Sequence, residues 1–426
     1  MVEVRRPISI SDAVSRVMNY EFNQAIDYVP LLESDLRFLA EDLLADHDVP
    51  PFNRAPYDGY AIRSEDTSQA SRQNPTRLHV VGDIGAGSLY TDDLENGQAV
   101  RIMTGAQMPN QSDAVVMLEE IHTNEADTIT IIRPHHHNEN ISFQGEDTKK
   151  DQVLIEKGAI IHPGTVALLA TFGYDIVPVF RKPRIGILAT GSELLDVHEP
   201  LQPGKIRNSN AYMAASQVKR AGGIPVMYGK LPDELDVCVD VVTDALQEVD
   251  AMITTGGASV GDYDLVPQLV ERLHATTLFN KVAMRPGSVT TVAEKDGQLI
   301  YGLSGNPGAC YVGFELFVRP LIRKALGARD LHLKRSIGVL DSDYPKPNPY
   351  TRLIRGVALE REGVQYVKPS GLDKSSSVIA LGEADVLIVL PAGSKGYKRG
   401  EEVNLLDLHD QKGSQWPWDI PIVSYK

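Results

Sequence analysis

The chain of 426 residues carries 42 basic and 57 acidic side chains, a formal net charge of −15, and 42% hydrophobic residues. That balance fits a soluble globular protein with a sizeable core and excludes general nucleic-acid binding, which needs a basic face. No run approaches the roughly 18 apolar residues of a membrane span, and the N-terminus lacks the apolar core of a signal peptide. Cys238 and Cys310 form no metal or redox motif, so a reducing, cytoplasmic setting without membrane contact is expected.

Length suggests about three domains at roughly 150 residues each. Residues 1–50 read as helical: Ser11 would cap a helix running to Met18, and Leu36, Leu39, Ala40, Leu43 and Leu44 recur at helical spacing until Pro50-Pro51. From there to about Glu146 come short β-like runs, Leu78–Val81, Ala114–Leu118 and Thr128–Ile132, separated by Gly, Asn and Asp. Within them Gly82-Asp-Ile-Gly-Ala-Gly87 lacks dinucleotide spacing and reads as a turn. His135-His-His137 reads as a solvated loop, because adjacent side chains do not converge easily on one ion. Thr165–Phe172 looks helical, with Pro163 near its start and Gly173 as its cap.

Residues 181–327 alternate strand and helix. The strands are Arg184–Ala189, Ala251–Ile253 and Leu299–Leu303, and the helices are Asn210–Ala221, Cys238–Glu248 and Gly308–Leu326, the pattern of a doubly wound, mostly parallel sheet. Residues 328–410 return to β-like runs around Pro345-Lys-Pro-Asn-Pro349, and the tail from Gln411 has no clear periodicity.

Each central strand is followed by a polar loop: Thr190-Gly-Ser-Glu193, then Thr255-Gly-Gly-Ala-Ser-Val-Gly-Asp262, then Ser304-Gly-Asn-Pro-Gly308. Parallel strands put such loops on one sheet edge, where open α/β sheets bind ligands, and helices starting there offer backbone N–H groups to phosphates. The substrate-binding candidates are therefore Thr190, Gly191, Ser192, Gly256, Gly257, Ser259, Ser304, Gly305 and Asn306. No G-x-x-x-x-G-K-[ST] motif is present. Asp58, Asp147, Glu193, Asp233, Asp262 and Asp264 all lie in or beside Gly/Pro-rich loops. Turn chemistry accounts for Asp262, and Asp233 fits a cap on the next helix. Carboxylates such as Glu193 and Asp264 facing a phosphate repel it unless a cation such as Mg²⁺ intervenes. Lys281 and Arg285, four apart in an extended segment, fall on one side and suit one anion.

Taken in order, Ala55-Pro-Tyr-Asp-Gly-Tyr-Ala-Ile-Arg63, Arg101-Ile-Met-Thr-Gly-Ala106, Gly145-Glu-Asp147, Arg184–Leu194, Gly256–Asp264, Met284-Arg-Pro-Gly287 and Gly302-Leu-Ser-Gly-Asn-Pro307 carry a resemblance. From about residue 7 to about residue 408 the chain resembles the molybdopterin molybdenumtransferases, meaning bacterial MoeA and the E domain of gephyrin and its plant counterpart. The resemblance implies molybdate insertion into adenylylated molybdopterin with Mg²⁺-supported release of AMP, the last step of molybdenum cofactor synthesis. It implies an elongated homodimer of four-domain subunits whose sites draw on both chains. The pieces are a discontinuous N-terminal dimerisation domain (1–50 with 148–180), a β-rich insertion (51–147), the molybdopterin-binding α/β domain (181–327) and a C-terminal β-barrel-like domain (328–410), with 411–426 unassigned. By the same resemblance Asp58, Asp147, Glu193, Asp264 and Lys281 are catalytic, Thr104, Arg285, Arg355 and Ser376 join the substrate-binding group, and Glu193, Asp233 and Asp264 hold the metal. A molybdopterin adenylyltransferase and molybdoenzyme chaperones are the implied partners.

Two departures stand out. Many members have Ser or Ala-Met before Asp-Gly, where this chain has Pro56-Tyr57, and many read Lys-Pro-Gly-Lys-Pro, where it has Arg285-Pro-Gly-Ser-Val289. One cation of the family pattern is thus absent. Other readings of the central domain are a molybdopterin adenylyltransferase, an amidase-linked competence-damage protein and a gephyrin-like scaffold. The first two leave the flanking β-rich regions unexplained.

Overall fold

In the computed structural model, residues 6–22, 24–125, 127–256, 265–416 and 418 are described. The chain divides into two units: one takes Met1–Glu41, Lys157–Val166 and Ile176–Lys426, the other Asp42–Glu156 and Ala167–Asp175.

The larger unit is organised by a six-stranded sheet whose central strands are apolar on both faces. Its strands are β1 (Arg184–Thr190), β2 (Ile224–Leu231), β3 (Ala251–Thr255), β4 (Thr276–Phe279), β5 (Thr291–Lys295) and β6 (Gln298–Leu303), in sheet order β2-β1-β3-β6-β5-β4. The first four in that order run parallel, and β5 and β4 are antiparallel additions. Side chains alternate between two cores, as the strand period of two requires. Ile185, Ile187, Ile253, Leu299 and Tyr301 meet Ala211, Ala214 and Val218 of the helix Asn210–Ala221 and the stretch from Pro307 to Ala325 on one face. Leu188, Met252 and Ile300 meet Cys238, Val242 and Leu269 of the helices Leu235–Ala245 and Leu265–Arg272 on the other. This is the expected doubly wound arrangement; the middle helix starts and ends three residues earlier than the sequence suggests.

Behind it, β7 (Arg335–Leu340), β8 (Thr351–Arg361), β9 (Val364–Pro369), β10 (Val386–Leu390) and β11 (Glu402–Asp407) follow the order β8-β9-β7-β11-β10, and β8 also pairs with β10. The sheet therefore closes into a barrel around Ile354, Val367, Ile388 and Leu405. A two-residue strand, Met284–Arg285, attaches to β8 in parallel, with Arg285 opposite Arg352.

The smaller unit holds a six-stranded sheet in the order Ala114–Met117, Gly59–Ile62, Gln98–Ile102, Thr76–Ile84, Thr128–Ile131, Thr123–Glu125. Ala61, Val100 and Val115 pack to one side, Tyr60, Ile62 and Ala99 to the other.

Three local expectations are corrected. The first helix is capped by Ser9, whose Oγ accepts from Asp12 N, and not by Ser11. Leu36–Leu44 is not helical but a succession of a turn, isolated bridges and bends: the amides of Leu36, Leu39 and Ala40 donate to Ile161, Ala159 and Pro178 carbonyls, so long-range pairing overrides the leucine spacing. Gly82–Ile84 completes a strand, and a Cβ on Gly82 would lie 2.9 Å from the Tyr90 ring, so this glycine serves packing rather than a turn.

A buried charge cluster fixes the helix after β6. Glu315, in a π-helical segment Phe314–Val318, accepts from Arg220 Nη2 at 2.7 Å and Gln217 Nε2 at 2.8 Å, and its Oε2 lies 3.8 Å from Arg319 Nε. Removing one member of a buried ion cluster leaves the others uncompensated. Glu315→Ala is expected to cost about 3–5 kcal/mol in chemical denaturation of the larger unit; a loss below about 1 kcal/mol would mean that the cluster does not anchor this helix.

Candidate functional site

The loops after β1 and β6 meet Gly256, the residue that follows β3, at one edge. A Cβ on Gly256, where φ is +99°, would stand 2.2 Å from the Thr190 carbonyl oxygen, and one on Gly305 3.5 Å from Gly256 Cα. Only a residue without a side chain permits the first of these approaches; the second is an ordinary van der Waals contact. The junction borders a cavity of about 340 Å³ lined by Thr190, Glu193, Thr255, Gly256, Gly305, Asn306 and Ser376, together with Asn208 and Asn210. Thr190 Oγ1 and Asn210 Oδ1 are buried without hydrogen-bond partners among the described residues, so two polar groups of the lining remain open to a ligand.

Glu193 folds back over Gly191, where a Cβ would lie 2.5 Å from its Oε2. Asp233 Oδ2 accepts from Ser192 N at 3.4 Å, so this aspartate reaches the first loop and does not cap the helix that follows, whose N-cap is Glu234. Gly257, Ser259, Asp262 and Asp264 lie outside the described residues.

A second cavity, of about 260 Å³, shares Asn306 with the first and is lined by Arg285, Ser288, Ser304, Arg352, Arg355, Asp373 and Ser375, among others. Arg355 is almost wholly buried. Its Nη2 donates to the Lys374 carbonyl at 2.9 Å, Nη1 stands 3.9 Å from Asp373 Oδ1, and Nε and Nη1 have no hydrogen-bond partner among the described residues. Burial pushes its pKa down from the ordinary guanidinium value. For Asp373, burial works to raise the pKa, but the Tyr344 hydroxyl and the neighbouring Lys346 and Arg352 outweigh it and hold the carboxyl below its ordinary range.

Of the residues expected from sequence, Arg285, Ser304, Asn306 and Arg355 come together here, whereas Lys281 does not line this cavity. Ser376 faces the first cavity and its neighbour Ser375 the second. The amide of Gly308 is already taken by the Ser375 carbonyl at 2.8 Å, so it is not free for a phosphate. Sequence reasoning missed Arg352, Asp373, Asn208 and Asn210. Asn208-Ser-Asn210, dense in amides before a helix, was a usable signal; Arg352 stands in no motif.

In the smaller unit Asp58 Oδ1 accepts from Thr104 N at 2.7 Å and Thr104 Oγ1 at 2.8 Å, and these bonds lower its pKa. Asp147 is exposed in the turn that bridges to Val49.

The triple histidine is not a uniformly solvated loop. His136 and His137 are exposed, but His135 is buried, and one donor atom each of Glu120, His135 and Glu139 lies within 4.8 Å of the others. Arg133 occupies this group as its cation, bonding to both Glu120 and Glu139. For Glu139, burial works to raise the pKa, yet Arg133 and the His136 amide bring it to about 2.

Family models match three stretches: the MoeA N-terminal region (domains I and II) over residues 8–173, a probable molybdopterin binding domain over residues 186–324, and the MoeA C-terminal region (domain IV) over residues 338–408. A molybdopterin molybdenumtransferase from Bacillus subtilis (strain 168) is 51% identical over 423 residues, 99% of this chain and 98% of that protein. One from Staphylococcus epidermidis RP62A is 47% identical over 405 residues, 95% of this chain and 96% of that protein. Two crystal structures of the molybdopterin biosynthesis MoeA protein from Pyrococcus horikoshii superpose with TM-scores of 0.84 and 0.80 at 29% and 31% identity. Each covers 94% of this chain, which spans 99% and 100% of the respective structures.

The His135 environment has a pH consequence. Burial, and next the Arg133 charge, lower its pKa, while Glu139 and Glu120 act the other way. Below the ordinary histidine pKa of about 6.5 the unfolded chain takes up a proton that folded His135 refuses, so stability falls as pH drops through that point, by at most about 1.4 kcal/mol per pH unit. The smaller unit's thermal midpoint should therefore fall more between pH 7 and pH 5 in the parent than in His135→Gln. Parallel curves would show that His135 titrates normally.

Proposed function

Because the chain belongs to the molybdopterin molybdenumtransferase family, we propose that it inserts molybdate into adenylylated molybdopterin and releases AMP, completing the molybdenum cofactor. One observation carries this reading: a nearly buried arginine with two unpartnered nitrogens borders a small cationic cavity that shares Asn306 with a larger, loop-lined one. A compact oxyanion fits the smaller, and a pterin nucleotide with its phosphates fits the glycine-lined larger one. In the smaller, charge-assisted donors from Arg285 and Arg355, with the Ser304 hydroxyl, orient molybdate. In the larger, the side chains of Thr190, Asn210 and Asn306 fix the ligand, since the Gly191 and Gly256 amides are already bonded to the Leu231 and Leu303 carbonyls.

Glu193 and Asp233 fit Mg²⁺ by donor type: both are carboxylates on the same loop cluster, and Mg²⁺ commonly takes one or two protein carboxylates beside substrate phosphates. Asp264 is assigned with them on the resemblance alone. Bound there, Mg²⁺ would offset charge that develops on the phosphoanhydride as it is cleaved. Asp58 with Thr104, Asp147 and Lys281 are proposed to complete the catalytic group in a homodimer whose sites draw on both chains. Among the described residues no helix is long and apolar enough to cross a membrane, and we place the enzyme in the cytoplasm, receiving substrate from a molybdopterin adenylyltransferase and passing product to molybdoenzyme chaperones.

Incubation with adenylylated molybdopterin, Mg²⁺ and graded molybdate tests the reaction: AMP release should depend on molybdate. Arg285 is exposed, so Arg285→Ala should fold normally. A charge-assisted contact is worth about 1.5–3 kcal/mol, so its molybdate KM should rise roughly 10- to 150-fold. AMP release indifferent to molybdate in the parent would overturn the proposal.

A further inference from the structure

Three guanidinium groups, those of Arg285, Arg352 and Arg355, line the smaller cavity, and its described lining holds one carboxylate, Asp373. Asp373 is already divided. Its Oδ2 accepts from the Tyr344 hydroxyl at 2.5 Å, from Arg352 Nη1 at 3.1 Å and from Lys346 Nζ at 3.3 Å, and its Oδ1 faces Arg355. One carboxylate so shared cannot neutralise the cations around it. Arg285 and Arg352 are, moreover, direct register partners in a parallel ladder, so their side chains leave the sheet on the same face. Like charges in that position destabilise a sheet. An arrangement of this kind persists when an anion binds between the cations.

We propose that Arg352 is itself an oxyanion-binding residue, supplying from β8 the cation that the family pattern places where this chain has Ser288. The proposal rests on the molybdate reading of the cavity. Its support is geometric: Arg352 and Ser288 line the same cavity. The Arg352 side chain is 14% exposed, its guanidinium lies 5.6 Å from the Tyr344 ring centroid, and Asp373 holds Nη1, so the group is fixed before any ligand arrives. Its Nε is buried with no hydrogen-bond partner among the described residues. A fork held at one end with a free donor is suited to a tetrahedral oxyanion, which accepts in several directions. Asp373 acts here as a positioning residue, keeping Arg352 aimed at the cavity without touching the anion.

Molybdate binding measured by calorimetry, with KM and kcat for AMP release, tests this in the parent and four variants. Arg352→Gln keeps the side-chain stem and a hydrogen bond for Asp373 while removing the charge. It should weaken molybdate binding and raise its KM at least ~10-fold, with little change in kcat or in affinity for the adenylylated ligand. Ser288→Lys added to Arg352→Gln should recover most of that loss, and Ser288→Lys alone should bind molybdate more tightly than the parent. Arg355→Ala is the control. If Arg355→Ala leaves molybdate binding intact, the reading of the cavity itself fails. If it abolishes binding while Arg352→Gln has none of its expected effect, or while Ser288→Lys recovers nothing, the role given to Arg352 is overturned and the cavity's function stands.

Discussion

Two pairs of residues in one short parallel ladder, Met284 with Thr351 and Arg285 with Arg352, hold the arginine-lined cavity together. Met284 is fully buried, so the ladder is pinned by packing as well as by backbone pairing. Through it the segment after β4 is fixed to β8, and residues from the central sheet, the barrel and the loop after β9 reach one small volume. Without that attachment Arg285 would sit on a free loop, and the positions of Ser304 and Arg355 would no longer be coupled to it.

The ladder also sets an electrostatic problem. Two like charges in register on one sheet face repel each other, and burying Arg355 adds a desolvation cost. Asp373 offsets part of this, the Lys374 carbonyl pins one end of Arg355, and Gly308 is small enough to pass close by, since a Cβ there would be 3.3 Å from Arg355 Cζ. The remainder is the electrostatic ground for the proposed affinity for anions.

Much of this was legible in the sequence. Strands buried on both faces gave continuous apolar runs with helices between, so the doubly wound sheet and the meeting of the first and third loops with Gly256 follow from pattern alone. Local exceptions had non-local causes. Leu36–Leu44 has helical spacing but finds its hydrogen-bond partners more than a hundred residues away, which no window of neighbouring residues reveals. His135 looked like part of a polar tract until the fold buried one ring of three. Arg352 was invisible for a similar reason, since its meaning depends on standing opposite Arg285, 67 positions earlier in the chain. Glycines after strands, by contrast, announced the close approach of Gly256 to Thr190 directly.

Asn306 borders both cavities, and it does so at the start of the helix whose far end is anchored by Glu315. A wall common to two compartments is a thermodynamic link between them. Any preference that one occupant imposes on that side chain is returned to the other as the same factor in affinity, because the coupling free energy belongs to the pair and to neither ligand alone. On the proposed function, oxyanion and nucleotide would each help to set the terms on which the other is held.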